Sequence, residues 1–148
     1  MKINFKKVLP KDPSVFNGFR FVRIFTAVFM IVVSVRSCIH LFKADGGAHS
    51  IAGVDVDVPG GDNIIAMFHQ WGAIQLILAA LLIVLFVRYP GLTPLVLLAL
   101  ASDPVMRAIS GHIKHITTVG TPPGAMLNWP VFYILVILFA TSLIETKA

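Results

Sequence analysis

Charge and cysteine are what this sequence has least of. Only 13% of its 148 residues are charged while 57% are apolar, with a mean hydropathy of +0.86. An ordinary soluble domain is about a quarter charged and about 45–50% apolar. The shortage therefore argues against a water-soluble fold, and it excludes intrinsic disorder, which needs low hydrophobicity and high charge. The one cysteine, Cys38, rules out an internal disulfide and any thiolate-rich metal site. Set among apolar neighbours, it reads as a small buried hydrophobe. Also missing are a P-loop, a dinucleotide-binding glycine pattern, a nucleophile elbow and an HExxH pair. No internal repeat or low-complexity tract occurs.

What is present is four apolar segments, at about 21–41, 64–86, 92–112 and 129–144, each near the ~20 residues a helix needs to cross a bilayer. Lipid gives backbone groups no partners, so each segment must be helical. The expected fold is all-α, a single membrane domain over residues 1–148 built as an integral four-helix bundle. Pro90-Gly91 forces a very short turn between the second and third helices. If the N-terminus is cytoplasmic, Lys2, Lys6, Lys7, Lys11, Arg20, Arg23, Arg88 and Lys147 lie inside. With Asp12 and Glu145 that side nets +6, and the outer side nets −1. The positive-inside rule then puts both termini in the cytoplasm, and the expected location is a bacterial inner membrane. The overall charge of +5 is on this reading a topology signal and a means of holding anionic lipid, not a nucleic-acid footprint.

Residues 1–20 are too long and too polar before the apolar core to resemble a secretory signal, so the first helix is expected to be retained. Asp12-Pro13 is a candidate start for a cytoplasmic extension of that helix. Ile3, Phe5, Val8 and Leu9 among lysines suit a segment lying on the inner leaflet, with a frayed basic tail as the other reading. In the loop 43–63, Val54-Asp55-Val56-Asp57-Val58 alternates with a period of two between Gly53 and Pro59-Gly60-Gly61. This predicts a short β-like strand or hairpin over the outer mouth. Asp55, Asp57 and Asp62 lack the glycine and terminal glutamate of a calcium loop. His112 and His115 are spaced i,i+3, but Lys114 splits them and no carboxylate follows, so no metal site is expected.

Charge inside a bilayer costs about 2.5–3.5 kcal/mol per residue by insertion scales, so the exceptions locate any site. Counted from outer helix ends near Leu41, Ile64 and His112, the residues Arg36, His69 and Arg107 each lie five positions inward, which predicts one common level. Asp103 is i,i+4 from Arg107, a spacing for an ion pair, and His40 lies one turn above Arg36. His69, Gly72, Gln75 and Ala79 share one face of the second helix, which should pack inward because small residues let helices approach. Pro104 predicts a bend that opens the outer half. Asn128 is a candidate helix cap and Trp129 an interface anchor. Two readings follow. In one, Arg36, His40, His69, Gln75, Asp103, Arg107 and Asn128 line an outward-facing pocket for a lipid headgroup, a carboxylate or a quinone carbonyl. In the other, the arginines snorkel and Asp103 with Arg107 form a structural bridge.

Residues 62–145 resemble the DoxX-like group of small four-helix bacterial membrane proteins. The features that carry the likeness are the segment 66–83 with its Gly72-Ala73-Ile74-Gln75-Leu76 core, the inner turn Arg88-Tyr89-Pro90-Gly91, and residues 103–111 ending the third helix. A similar outline occurs in the small four-helix scaffold family of sterol biosynthesis. The resemblance implies architecture, and because such families include redox-enzyme subunits, scaffolds and chaperone-like proteins it transfers no catalytic residue. The leading functional expectation is a non-catalytic accessory or assembly subunit of a larger membrane complex, with membrane lipids and other membrane subunits as partners and no resident cofactor. The alternative is a lipid- or quinone-interacting enzyme subunit in which Asp103 or His69 handles protons.

Overall fold

The computed structural model describes residues 3–145; Lys2 and Lys147, both assigned to the inner side above, lie outside them. The chain is all-helical. After a 3-10 turn at Phe5–Lys7 come α1 (Arg20–Phe42), α2 (Gly61–Arg88), a 3-10 turn at Pro90–Leu92, α3 (Thr93–Ile113), the single turn α4 (Pro123–Met126) and α5 (Asn128–Ser142). α1, α2 and α3 with its preceding turn are long and apolar enough to cross a membrane. α5 has 15 residues, about 22 Å of rise against a hydrocarbon thickness of about 30 Å. It stops at Ser142, where Leu143 folds back to Ala140 O and Ile144 pairs with Ile3.

Packing follows from which side chains are small or apolar on each face. α1 lies chiefly against α2, and α3 against α5, as two antiparallel hairpins. Val22, Phe86, Val96, Leu97, Leu135 and Leu138 close the seam between the hairpins. Most of them sit where α1 begins, α2 ends and α3 begins, so the apolar core is weighted to one end of the molecule, reaching mid-helix at Met30, Leu100, Ala101 and Leu135. Elsewhere the pattern is inverted: Ile31, Val32, Val35, Ile77, Leu81, Val84 and Ile137 are exposed, as side chains facing hydrocarbon should be. Hydroxyls within the helices bond to their own backbone, Thr26 to Val22 O at 2.7 Å, Ser34 to Met30 O at 2.8 Å and Ser37 to Val33 O at 2.8 Å. No hydroxyl among these is left without an acceptor in an environment that offers none.

The closest helix contact is at Gly72. A Cβ there would sit 2.6 Å from Leu41 N and 2.7 Å from His40 C, so only glycine lets the α1 and α2 backbones meet. Gly72 and Ala79 are buried, as the strip of small residues predicted.

Residues 3–19 are fastened across the core end, which sets aside the frayed tail. Asn4 N donates to Leu143 O at 3.1 Å, Lys7 Nζ donates to Asn17 O at 2.8 Å and Ile144 O at 2.9 Å, and Gly91 N donates to Pro13 O at 2.8 Å. Asp12 does not begin an extension of α1. Its carboxylate takes Ser14 N and Ser14 Oγ in a local turn, and α1 starts at Arg20.

The expected β-like strand in the outer loop is also corrected. Among the described residues no strand forms; Val54 makes one isolated bridge, to Thr118. Asp55 Oδ1 accepts from Asp57 N at 3.0 Å and Gly61 N donates to Val58 O at 2.9 Å. These local bonds turn the chain before a second rung can pair. Gly61 then opens α2 three residues before the expected start. Val56 O presses so closely on it that no side chain fits. α3 is helical from Thr93 to Ile113 with Pro104 inside it.

Candidate functional site

The seven residues singled out from sequence separate into fasteners and one charged group. His40 is buried near the C-terminal end of α1. Its Nδ1 lies 2.7 Å from Gly46 O, and because a carbonyl only accepts, Nδ1 carries a proton. The ring stacks on Trp71 at 4.7 Å between centroids and holds down the loop where Gly46 and Gly47 take φ of +58° and +75°. Asp45 fastens the same loop from its other side, accepting from Gly47 N at 3.0 Å and Ser50 N at 2.7 Å. Burial opposes its ionisation, but the bonds from Ser50 and Gly47 and the nearby Lys43 charge outweigh that and hold its carboxyl well below the usual carboxylate range.

His69 was expected at the level of the arginines and is not. Its Nδ1 lies 2.8 Å from Leu41 O, one of the last carbonyls of α1, which have no partner inside the helix. It is therefore a side-chain cap at the end of α1, about five residues, or about 7.5 Å of helix rise, outward of Arg36. The shift arises because α2 begins at Gly61 and extends past the end of α1. Asn128 is corrected as well. It is the first residue of α5 rather than its cap, and its buried amide donates to Pro104 O at 3.0 Å, tying α5 to α3. Asn128 Oδ1 is buried with no hydrogen-bond partner.

Arg36, Gln75, Asp103 and Arg107 do come together. With the Gln75 amide turned so that its oxygen faces the two donors, it accepts from Trp71 Nε1 at 2.9 Å and from Arg36 Nη2 at 3.0 Å. The Arg36 guanidinium lies 5.6 Å from the Trp71 ring centre, within cation–π range. Across the seam it feels the charges of both Arg107 and Asp103. Arg107 Nε is 3.3 Å from Asp103 Oδ2. That is an ion pair by distance, yet Nε makes no aligned hydrogen bond, and Arg36 Nε likewise has no partner. Trp71 was missed from sequence; its position one turn before Gln75 on the inward face was the available signal.

Chemically, two guanidinium groups around one carboxylate leave a single net positive charge between the hairpins. The Arg107 and Asp103 side chains are 30% and 45% exposed, so the group is open on one side. Among the described residues no set of three His, Cys, Asp or Glu side chains could hold a metal ion, and His112 and His115 are exposed beyond the group. A groove of about 840 Å³ lies elsewhere, on an apolar flank of α1 and α2 between Ala27, Cys38, Phe42 and Val87. No protein-family model, no curated protein and no solved structure matches this chain.

Proposed function

We propose that the chain is a four-helix integral membrane protein with both termini cytoplasmic, placed in a bacterial inner membrane and akin to the DoxX-like group. On this reading it serves without catalysis of its own as an accessory or assembly subunit of a larger membrane complex. The observation that carries this reading is how the polar residues of the outer half are engaged. His40, His69 and Asn128 bond to backbone carbonyls, and Asp103 is paired with Arg107. The enzyme alternative needs His69 or Asp103 as a proton carrier, and each already holds a structural partner, which favours a framework over a reaction centre. The exposed apolar flanks of α1 and α2 supply area for lipid or for helices of another subunit.

The test is extraction from the native membrane in a mild detergent followed by mass measurement of the intact assembly. The expected result is stoichiometric association with other membrane subunits. A monodisperse protein carrying full cellular activity alone would overturn the reading. Reporters fused after residue 148 and inserted in the loop at 55–58 should report opposite sides of the membrane.

A further inference from the structure

The bonds that Arg36 makes do not account for its place. A cation inside a bilayer is costly unless paired, and Arg36 has no carboxylate bonded to it. Its acceptor is the neutral Gln75 amide, already shared with Trp71. Asp103, the carboxylate whose charge acts on it, is engaged by Arg107, whose own charge opposes that of Arg36. The Nε atoms of both arginines are buried and lack an aligned partner. Two forked donors, one open side and one surplus positive charge describe a receptor for one anion. Guanidinium groups match the oxygens of phosphate or carboxylate in pairs.

We propose that Arg36 and Arg107, with Asp103 setting the net charge at +1, bind the phosphodiester headgroup of one anionic membrane lipid at the outer end of the seam between the two hairpins. The level fits. Arg36 and Arg107 each lie six residues, about 9 Å, inside the same-side helix ends at Phe42 and Ile113. A snorkelling arginine bridges that depth toward the headgroup layer. The apolar core is weighted to the opposite end of the seam, so acyl chains can lie against the exposed flanks while the headgroup meets the arginines. A singly charged phosphodiester would cancel the surplus exactly once, whereas a zwitterionic headgroup brings its own cation against the arginines.

The proposal rests on the membrane-embedded reading but not on the accessory role. The test is a titration of the purified full chain in uncharged maltoside detergent with phosphatidylglycerol, phosphatidylcholine or inorganic phosphate, read by native mass spectrometry and by thermal shift. The expected result is one phosphatidylglycerol per chain, held at least about tenfold more tightly than phosphatidylcholine. R36Q and R107Q should each weaken it about tenfold, D103N should tighten it, and R23Q, at the other end of α1, should leave it unchanged. Equal retention of the two lipids, or equal loss in R36Q and R23Q, would overturn the proposal. Should R36Q fail to fold, R107Q and D103N carry the same comparison with opposite expected signs. Arg36-dependent binding of inorganic phosphate with no preference for the lipid would overturn the lipid assignment and keep an anion site. A chain that stays in solution without detergent would instead overturn the membrane reading itself.

Discussion

Two arginines thirteen positions apart on α1 face the same helix and do different things. Arg23 stacks on the Phe86 ring at 4.4 Å and donates through Nη2 to Phe86 O at 3.3 Å. Arg36 lies 5.6 Å from the Trp71 ring and donates to Gln75 at 3.0 Å. Each has an aromatic and an acceptor from α2, yet the surroundings differ. Arg23 bonds a carbonyl in the last turn of α2, where the helix dipole already favours a cation, and the apolar core lies beside it. Arg36 bonds a side-chain amide in mid-helix and faces a second arginine. Arg23 also keeps one buried nitrogen, Nη1, without an acceptor, but its place at a helix end is accounted for by topology and capping; Arg36, with its Nε unpartnered beside another cation, has neither account.

The largest effect is expected from the contact that makes the outer arrangement possible. Gly72→Leu would force α2 away from the backbone of α1 at His40 and Leu41, separating Arg36 from Gln75 and His69 from Leu41 O. Overpacking of this kind costs about 3 kcal/mol at the upper end of its range, and here the neighbour is backbone that cannot rotate aside. A drop of more than 10 °C in the detergent melting temperature is the expected outcome. Ala80→Leu, on the exposed face of the same helix, should change it little. Equal effects from the two would show that the close approach is not specific to Gly72.

Removing each arginine sharpens the contrast in sign. R23Q should lose about 1 kcal/mol, the worth of a hydrogen bond to a helix-end carbonyl. In lipid-free maltoside R36Q should be neutral or stabilising, because it deletes a poorly paired cation beside Arg107. Urea or thermal unfolding of the two variants measures the difference directly. R36Q losing more than R23Q would make the outer arginine a structural bridge and remove the reason to look for a ligand.

His69→Ala tests the reading of that histidine as a cap. Loss of the bond to Leu41 O should cost about 1–2 kcal/mol, fray the last turn of α1 and leave lipid binding at Arg36 within about twofold. Amide exchange at the end of α1 should quicken while α3 stays protected. A fall in lipid binding as large as that of R36Q would return His69 to the site.

These contrasts mark how far the sequence was legible. Length and apolarity found α1, α2 and α3 to within three residues at most ends, and the i,i+4 spacing found the Asp103–Arg107 pair. The face His69, Gly72, Gln75 and Ala79 was legible because small residues at helical spacing have one use. Depth was not. It was measured from helix ends, and the end of α2 was set by Gly61 under Val56 O, a contact between residues five apart that no periodicity encodes. A three-residue extension was enough to move His69 out of the site, while Gln75, expected there, stays in it. The valine–aspartate alternation misled for a related reason. A strand needs a partner along its length, and Asp55 satisfied the local backbone before one could pair. Asn128 likewise has the chemistry of a cap, but the carbonyl it meets, Pro104 O, belongs to another helix.

The smallest expected effect lies in the loop between α1 and α2, where Asp45 and His40 hold the same turn from opposite sides. The carboxyl of Asp45 is held well below its ordinary value near 3.9, so its ionised form is the one that stabilises the fold. A depressed folded-state value means the contribution is fully present above the unfolded value and is lost as the pH falls through the folded one. Protection of the Gly47 and Ser50 amides should accordingly stay constant from neutral pH down to about pH 4 and decline only below it. D45N should show the declined level at every pH, since an amide accepts through one oxygen where the carboxylate uses two. Loosening that persists unchanged in D45N would assign the turn to His40 instead, whose Nδ1 holds Gly46 O from the other side.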